Sequence, residues 1–214
     1  METNEIKLST LIISISGIAA VELAARMLIS RNLLALLTGV GLARFTEIIF
    51  LLTLIKLREK RLSIIGLSST QIYRGFKSGL IWAISFGVAA GIVLFIIYLA
   101  GINVTTLFRM QLPSESNKFI TFLLAGALIG PIAEEIFFRG ILYGFFRRWG
   151  IPAAVILSTF LFVLSHTSGP AIPLTQLIGG ILFAVAYEID KNLLVPITIH
   201  SLGNLAIFTL ALLI

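Results

Sequence analysis

Long apolar stretches alternate with short polar or turn-forming clusters along the chain. They predict membrane-crossing helices near 8–30, 33–55, 78–100, 119–146, 152–167, 173–188 and 193–213. A spanning α-helix needs about 20 predominantly apolar residues. The stretches at 152 and 173 are short by that measure, so six-span and re-entrant arrangements stand beside a seven-span one. The expected fold class is therefore all-α, a polytopic transmembrane bundle of about seven (six to eight) helices. No polar stretch is long enough to form a separate aqueous domain, so 1–214 reads as a single integral-membrane domain. Within the fourth stretch, Gly130-Pro131 predicts a kink or a restart, because proline lacks an N–H and clashes with the preceding turn. Glu134 and Glu135 would then open a second half-helix, at a positive dipole end that favours carboxylates.

Composition places the chain firmly in the membrane class, with 58% hydrophobic residues, 12% charged residues and a mean hydropathy of +1.06. The lack of cysteine excludes disulfides, thiolate metal sites and cysteine catalysis. The start, Met1-Glu2-Thr3-Asn4-Glu5, has no basic region of the kind that opens a signal peptide, so the first stretch is expected to be retained. Basic residues cluster between the second and third stretches (Lys56, Arg58, Lys60, Arg61, Arg74, Lys77) and after the fourth (Arg147, Arg148). In a seven-span arrangement these fall on one side, which the positive-inside rule makes cytoplasmic, with the N-terminus beside them. The opposite side carries only Arg31, Arg109 and Lys118. Topology and anionic membrane lipids thus account for the net charge of +6, and nucleic acid is not an expected partner. The expected location is multi-pass, in a prokaryotic plasma membrane.

Against this oily background a few polar groups stand out. A carboxylate near the bilayer centre costs about 2.5–3.5 kcal/mol on insertion scales, so an intramembrane pair marks a functional site or a salt network. Glu135 and Arg139 have the favourable helical order for an ion pair, which leaves Glu134 as the free carboxylate. Partly desolvated beside a second carboxylate, Glu134 has the surroundings of a general base acting on water. Phe162 and His166, the latter one of only two histidines, share a helix face in the fifth stretch. His200 and Asn204 share a face in the last, where two donors in a water-poor pocket suit a developing oxyanion. Each group also has a plain structural reading, as an interhelical hydrogen bond or clip. Counted from the expected cytoplasmic boundary, Glu134 lies about 20 Å deep, His166 about 24 Å, and His200 and Asn204 about 10–17 Å. These layers overlap, which permits the groups to meet.

In order and spacing, Glu134-Glu135-x-x-x-Arg139, Phe162-x-x-x-His166 and His200-x-x-x-Asn204 resemble the three motifs of the CAAX-protease and bacteriocin-processing (CPBP) family of intramembrane proteases, which includes the type II CAAX prenyl endopeptidases. The resemblance covers about 119–207. It implies a helical membrane peptidase of the glutamate type, formerly classed as a metalloprotease, with no covalent acyl-enzyme. Glu134 would be the base and His166 its partner in holding water. His200 and Asn204 would form the oxyanion site, with Glu135, Arg139 and Phe162 in support. The implied substrate is a membrane-associated or lipidated peptide or protein. No cofactor is expected, although Glu134, His166 and His200 match a His2Glu zinc site in number, which keeps zinc open as the alternative.

Two other function classes stand beside the peptidase. A membrane scaffold or bacteriocin-immunity-like factor would keep the pocket and bind a peptide or partner. A transporter would relay protons through the carboxylates and histidines, but should show paired broken helices, and only Gly130-Pro131 signals a break. Glu22 with Arg26, and Arg44 with Glu47, put four more charges in the first two stretches and are expected to pair as a clip or to line an entrance. Thr167-Ser168-Gly169-Pro170 is a loop next to His166. No serine or threonine nucleophile pairs with either histidine in a recognisable pattern.

Overall fold

A computed structural model describes residues 6–103, 112–167 and 173–213. All regular structure among the described residues is helical. The chain forms α1 (Leu8–Ser30), α2 (Leu36–Arg58), α3 (Ile72–Leu99), α4 (Ser116–Trp149), α5 (Ile151–Ser165), α6 (Leu174–Asp190) and α7 (Leu194–Leu212), with short 3-10 turns at Leu62–Ile65 and Ser69–Gln71. The all-α expectation holds on these residues. The expected number of spans is only partly met. By length and composition, four helical segments among the described residues suffice to cross a membrane: Leu8–Ser30, Leu62–Leu99, Ser116–Trp149 and Leu194–Leu212. Of the rest, α5 has 15 residues and α6 has 17, while α2 carries Arg44 and Glu47 midway.

The helices alternate in direction, and one end of the bundle is tied together by its basic residues. Lys7, just before α1, donates through Nζ to the Arg58 carbonyl at the end of α2 (2.9 Å). Arg148, near the end of α4, donates to the Ile6 carbonyl (2.7 Å). At the same end Arg147 pairs with Glu188 of α6 (2.9 Å), and the Leu193 N–H before α7 donates to Gly66 before α3 (3.2 Å). Odd-numbered helices therefore begin, and even-numbered helices end, on this basic side.

α4 is the central element. It packs against α2, α5 and α7, while α1 lies on α2, α3 on α7 and α5 on α6. Its later half supplies Ile136, Phe138, Ile141, Leu142, Tyr143 and Phe145 to the core, against Leu51 and Ile55 of α2, Phe162 of α5 and Phe183 of α6. The outward faces keep large apolar side chains exposed, with Ile84, Val88, Ile92 and Phe95 on α3 as examples, as expected of helices solvated by lipid.

The Gly130-Pro131 pair does not break α4. The helix widens into π turns at Ala125–Ile129 and again at Ile136–Tyr143, on either side of an α segment at Gly130–Glu135. The Gly130 N–H donates five residues back, to the Ala125 carbonyl, so the extra residue absorbs the proline without ending the helix. Glycine is required there because a Cβ would stand 2.8 Å from the Ala125 oxygen. The two glutamates consequently sit inside a continuous helix, and the expectation of a fresh half-helix with free N–H groups beneath them is corrected.

Candidate active site

Three helices bring their polar groups to one place. Glu134 Oε2 lies 3.7 Å from His166 Nε2 at the end of α5 and 3.9 Å from His200 Nε2 on α7. Each ring is oriented by a bond at its other nitrogen. His166 Nδ1 meets the Phe162 carbonyl at 2.9 Å; a carbonyl only accepts, so Nδ1 carries the proton in this bond and Nε2 has a free lone pair in the neutral ring. His200 Nδ1 meets Glu135 Oε1 at 2.7 Å, so here too Nδ1 donates to an ionised acceptor. Access is graded across the site. Side-chain exposure is 28% for His166, 17% for Glu134 and 8% for His200, so the opening lies on the His166 side.

Beneath this triad is a dry ionic layer. Glu135 and Arg139 are both fully buried and paired at 3.0 Å (Oε1 to Nη1), and Arg139 also donates to the Gly180 carbonyl of α6 at 3.2 Å. The Arg139 guanidinium carbon lies 4.5 Å from the Phe162 ring centre and 5.2 Å from that of Phe183, which supplies cation–π attraction in place of water. Phe162 is in ring contact with His166 (4.5 Å between centres), and Phe183 stacks on His200 (4.7 Å, 21° between planes). The aromatic residues thus fix both imidazoles and the cation together. Close approach of α5 and α6 depends on Gly180, where a Cβ would come within 2.9 Å of Thr159 Cγ2 and 3.3 Å of the Phe162 ring. Gly180→Val is therefore expected to destabilise the protein by about 1–3 kcal/mol through overpacking, read as a lower unfolding midpoint in detergent.

Of the residues expected from the sequence, Glu134, Glu135, Arg139, Phe162, His166 and His200 meet here. Asn204, one turn after His200, donates from Nδ2 to the Gly126 carbonyl of α4 at 2.8 Å. Phe183, Gly180 and Gly126 were not distinguishable in the sequence, since one phenylalanine among 16 and two glycines among 18 carry no signal until α6 and α4 are placed. The loop 167–170 falls mostly outside the described residues, as does Arg109.

Residues 116–206, from α4 through most of α7, match the family described as Type II CAAX prenyl endopeptidase Rce1-like. The match spans less than half of the chain and makes that part similar to the CAAX-protease family. The membrane-embedded CAAX protease MroQ of Staphylococcus aureus (strain USA300) is 32% identical over 96 residues, covering 42% of this chain and 38% of that protein. The chain thus spans well under two thirds of its relative's length. No solved structure matches. Among the described residues four helical segments are long and apolar enough to cross a membrane, so the chain is a multi-pass membrane protein.

The described residues speak against zinc. Among the described residues no group of three His, Cys, Asp or Glu side chains is arranged to hold a metal ion. The alternative of a Glu134, His166 and His200 zinc site is therefore withdrawn. Chelator treatment of the purified protein is expected to leave its unfolding midpoint in detergent unchanged.

The second charge group also differs from expectation. Arg44 pairs with Glu47 (2.7 Å) as expected, but Glu22 pairs with Arg44 across α1 and α2 (2.9 Å) rather than with Arg26. Glu22, Arg26 and Arg44 line a cavity of about 370 Å³ between α1 and α2. One carboxylate on each side of the Arg44 guanidinium neutralises it more fully than the single partner that i, i+3 spacing suggests.

Proposed function

We propose that this protein is an intramembrane endopeptidase, hydrolysing a peptide bond of a membrane-associated or lipidated substrate with a catalytic core at about 119–207. The observation that carries this reading is the convergence of one carboxylate oxygen and two imidazole nitrogens from α4, α5 and α7 at 3.7 and 3.9 Å. A water beside these groups, rather than between them, can reach Glu134 Oε2 and His166 Nε2 together. In the reaction, water donates one hydrogen bond to Glu134 Oε2 and the other to His166 Nε2. Glu134 takes a proton as the water oxygen bonds to the substrate carbonyl carbon, and the carbonyl π pair moves onto oxygen. His200, tied to Glu135 at Nδ1, and Asn204 supply the hydrogen-bond donors for that oxyanion. The tetrahedral intermediate then collapses, the C–N bond breaks, and Glu134 returns its proton to the departing amine. The products are a carboxylic acid and an amine, with no acyl-enzyme.

Glu135 and Arg139 act through His200, which they hold and charge-balance. Membrane lipid is the solvent for the outward faces, and the basic end of the bundle is assigned to the cytoplasm by the positive-inside rule, with the N-terminus on that side. A prokaryotic plasma membrane is the proposed location, a reading that the bacterial relative supports.

The test is incubation of purified protein in detergent with membrane-associated peptides, prenylated and unprenylated in separate arms. Internal cleavage is expected, and His166→Ala should slow it by about 10²–10⁴. Peptide binding without cleavage in both arms would instead favour a non-enzymatic scaffold.

A further inference from the structure

The charged cavity between α1 and α2 lies beside the catalytic layer, because α2 packs on the segment of α4 that carries Glu134. Ile29 and Ser30 at the end of α1, with Leu36 and Val40 at the start of α2, line its mouth at the end of the bundle opposite the basic one. Glu22 and Arg44 line its deeper part. At the helical rise of about 1.5 Å per residue, Glu22, Arg44 and Glu134 all lie about 20 Å from the basic end. Arg44 is within electrostatic reach of the Glu134 carboxylate. The side chains of Glu22 and Arg44 are nevertheless each 29% exposed. In a bundle surrounded by lipid, charged surface at this depth is stable only against protein or water. Behind Arg44, the buried Glu47 bonds it through Oε2 at 2.7 Å, while its Oε1 has no hydrogen-bond partner among the described residues. Such an oxygen is costly unless a donor reaches it. A charge-lined cavity of about 370 Å³ has room for several waters, which bond to groups left unsatisfied in this way. Hydrolysis consumes one water for each bond cleaved, and a peptide seated on the His166 side covers the opening there.

We propose that the α1–α2 cavity is a water inlet to the catalytic centre: water enters at the end opposite the basic one and passes Arg44 to reach Glu134 while peptide occupies the His166 side. Use of that water rests on the peptidase reading, whereas the wetness of the cavity stands on the fold alone. Glu22 and Glu47 clamp the Arg44 guanidinium from two sides, which keeps it from closing on Glu134 and neutralising the base.

The absence of native cysteine allows a clean test with single cysteines in the full chain. Ala25→Cys and Val40→Cys place a thiol on the cavity wall, and Ile84→Cys places one at similar depth on the lipid-facing side of α3. Each variant, in lipid nanodiscs, is treated with a negatively charged methanethiosulfonate reagent, which needs water around the thiolate to react. Both cavity cysteines are expected to be modified, and Ile84→Cys is not. Modification of Ala25→Cys also fills the inlet, so kcat on a membrane-associated peptide should be lost with KM and the unfolding midpoint held, and reduction of the mixed disulfide should restore it. If Ala25→Cys fails to fold, Val40→Cys, at a more exposed position, carries both measurements. Cavity cysteines that react no faster than Ile84→Cys would overturn the proposal. Complete modification with kcat unchanged would overturn the supply of water to Glu134, and a raised KM with kcat held would make the cavity part of the peptide site instead. Should no peptide be cleaved by the unsubstituted protein, the peptidase reading fails while the labelling still decides whether the cavity is wet.

Discussion

Glu134→Gln is expected to reduce kcat by about 10²–10⁴, the range a positioned general base supplies, while the protein remains folded with an unchanged unfolding midpoint. Two features make this combination expected. The Glu134 oxygen stands 3.7 and 3.9 Å from its imidazole neighbours, beyond direct hydrogen-bond length, so the folded state loses no bond when the charge is removed. Glutamine keeps the shape and polarity of the side chain but cannot take a proton from water. A parallel assay of unfolding and hydrolysis separates the two effects. A fall in both together would make Glu134 a structural carboxylate.

Arg139→Ala is expected to destabilise the protein by about 3–5 kcal/mol, because it leaves a buried carboxylate without its cation. Both partners have no exposed side-chain surface, and Arg139 also satisfies the Gly180 carbonyl and fills the space between the Phe162 and Phe183 rings. Replacing Glu135 and Arg139 together with leucine and methionine should recover most of that loss, since apolar substitutes for a buried pair are often neutral or stabilising. Hydrolysis should not recover, because Glu135 also orients His200. Unfolding midpoints and kcat for the single and double variants check this. A double variant with full activity would show that the Glu135–His200 bond is dispensable.

The site was legible in the sequence to the extent that local spacing determines which side chains share a helix face. Glu135 and Arg139, Phe162 and His166, and His200 and Asn204 are each one turn apart, and in the first two pairs the partners meet directly. His200 and Asn204 do share a face, yet they reach different parts of α4, because Glu135 and Gly126 offer acceptors at different heights. Spacing along one helix cannot reveal which acceptor lies opposite. The proline was legible as a disturbance, but its outcome was not: whether Pro131 ends a helix or is absorbed by a π turn depends on how neighbouring helices pack against it, which spacing along one helix does not reveal. The Glu22–Arg44 pair was missed for a related reason, since an interhelical partner competed with the intrahelical Arg26. Hydropathy located the helices well, but lengths of 15 and 17 residues in α5 and α6 left the count of complete spans lower than the count of apolar stretches.

The central claim is that Glu134 and His166 activate water for peptide hydrolysis inside the membrane bundle. Its most direct test is the single-turnover cleavage of a membrane-associated peptide by purified protein and by Glu134→Gln in ¹⁸O-labelled water. The unsubstituted protein is expected to place one ¹⁸O in the new carboxylate, and Glu134→Gln, folded and still binding the peptide, to do so at least about a hundredfold more slowly. Equal rates of ¹⁸O incorporation in the two proteins would contradict it.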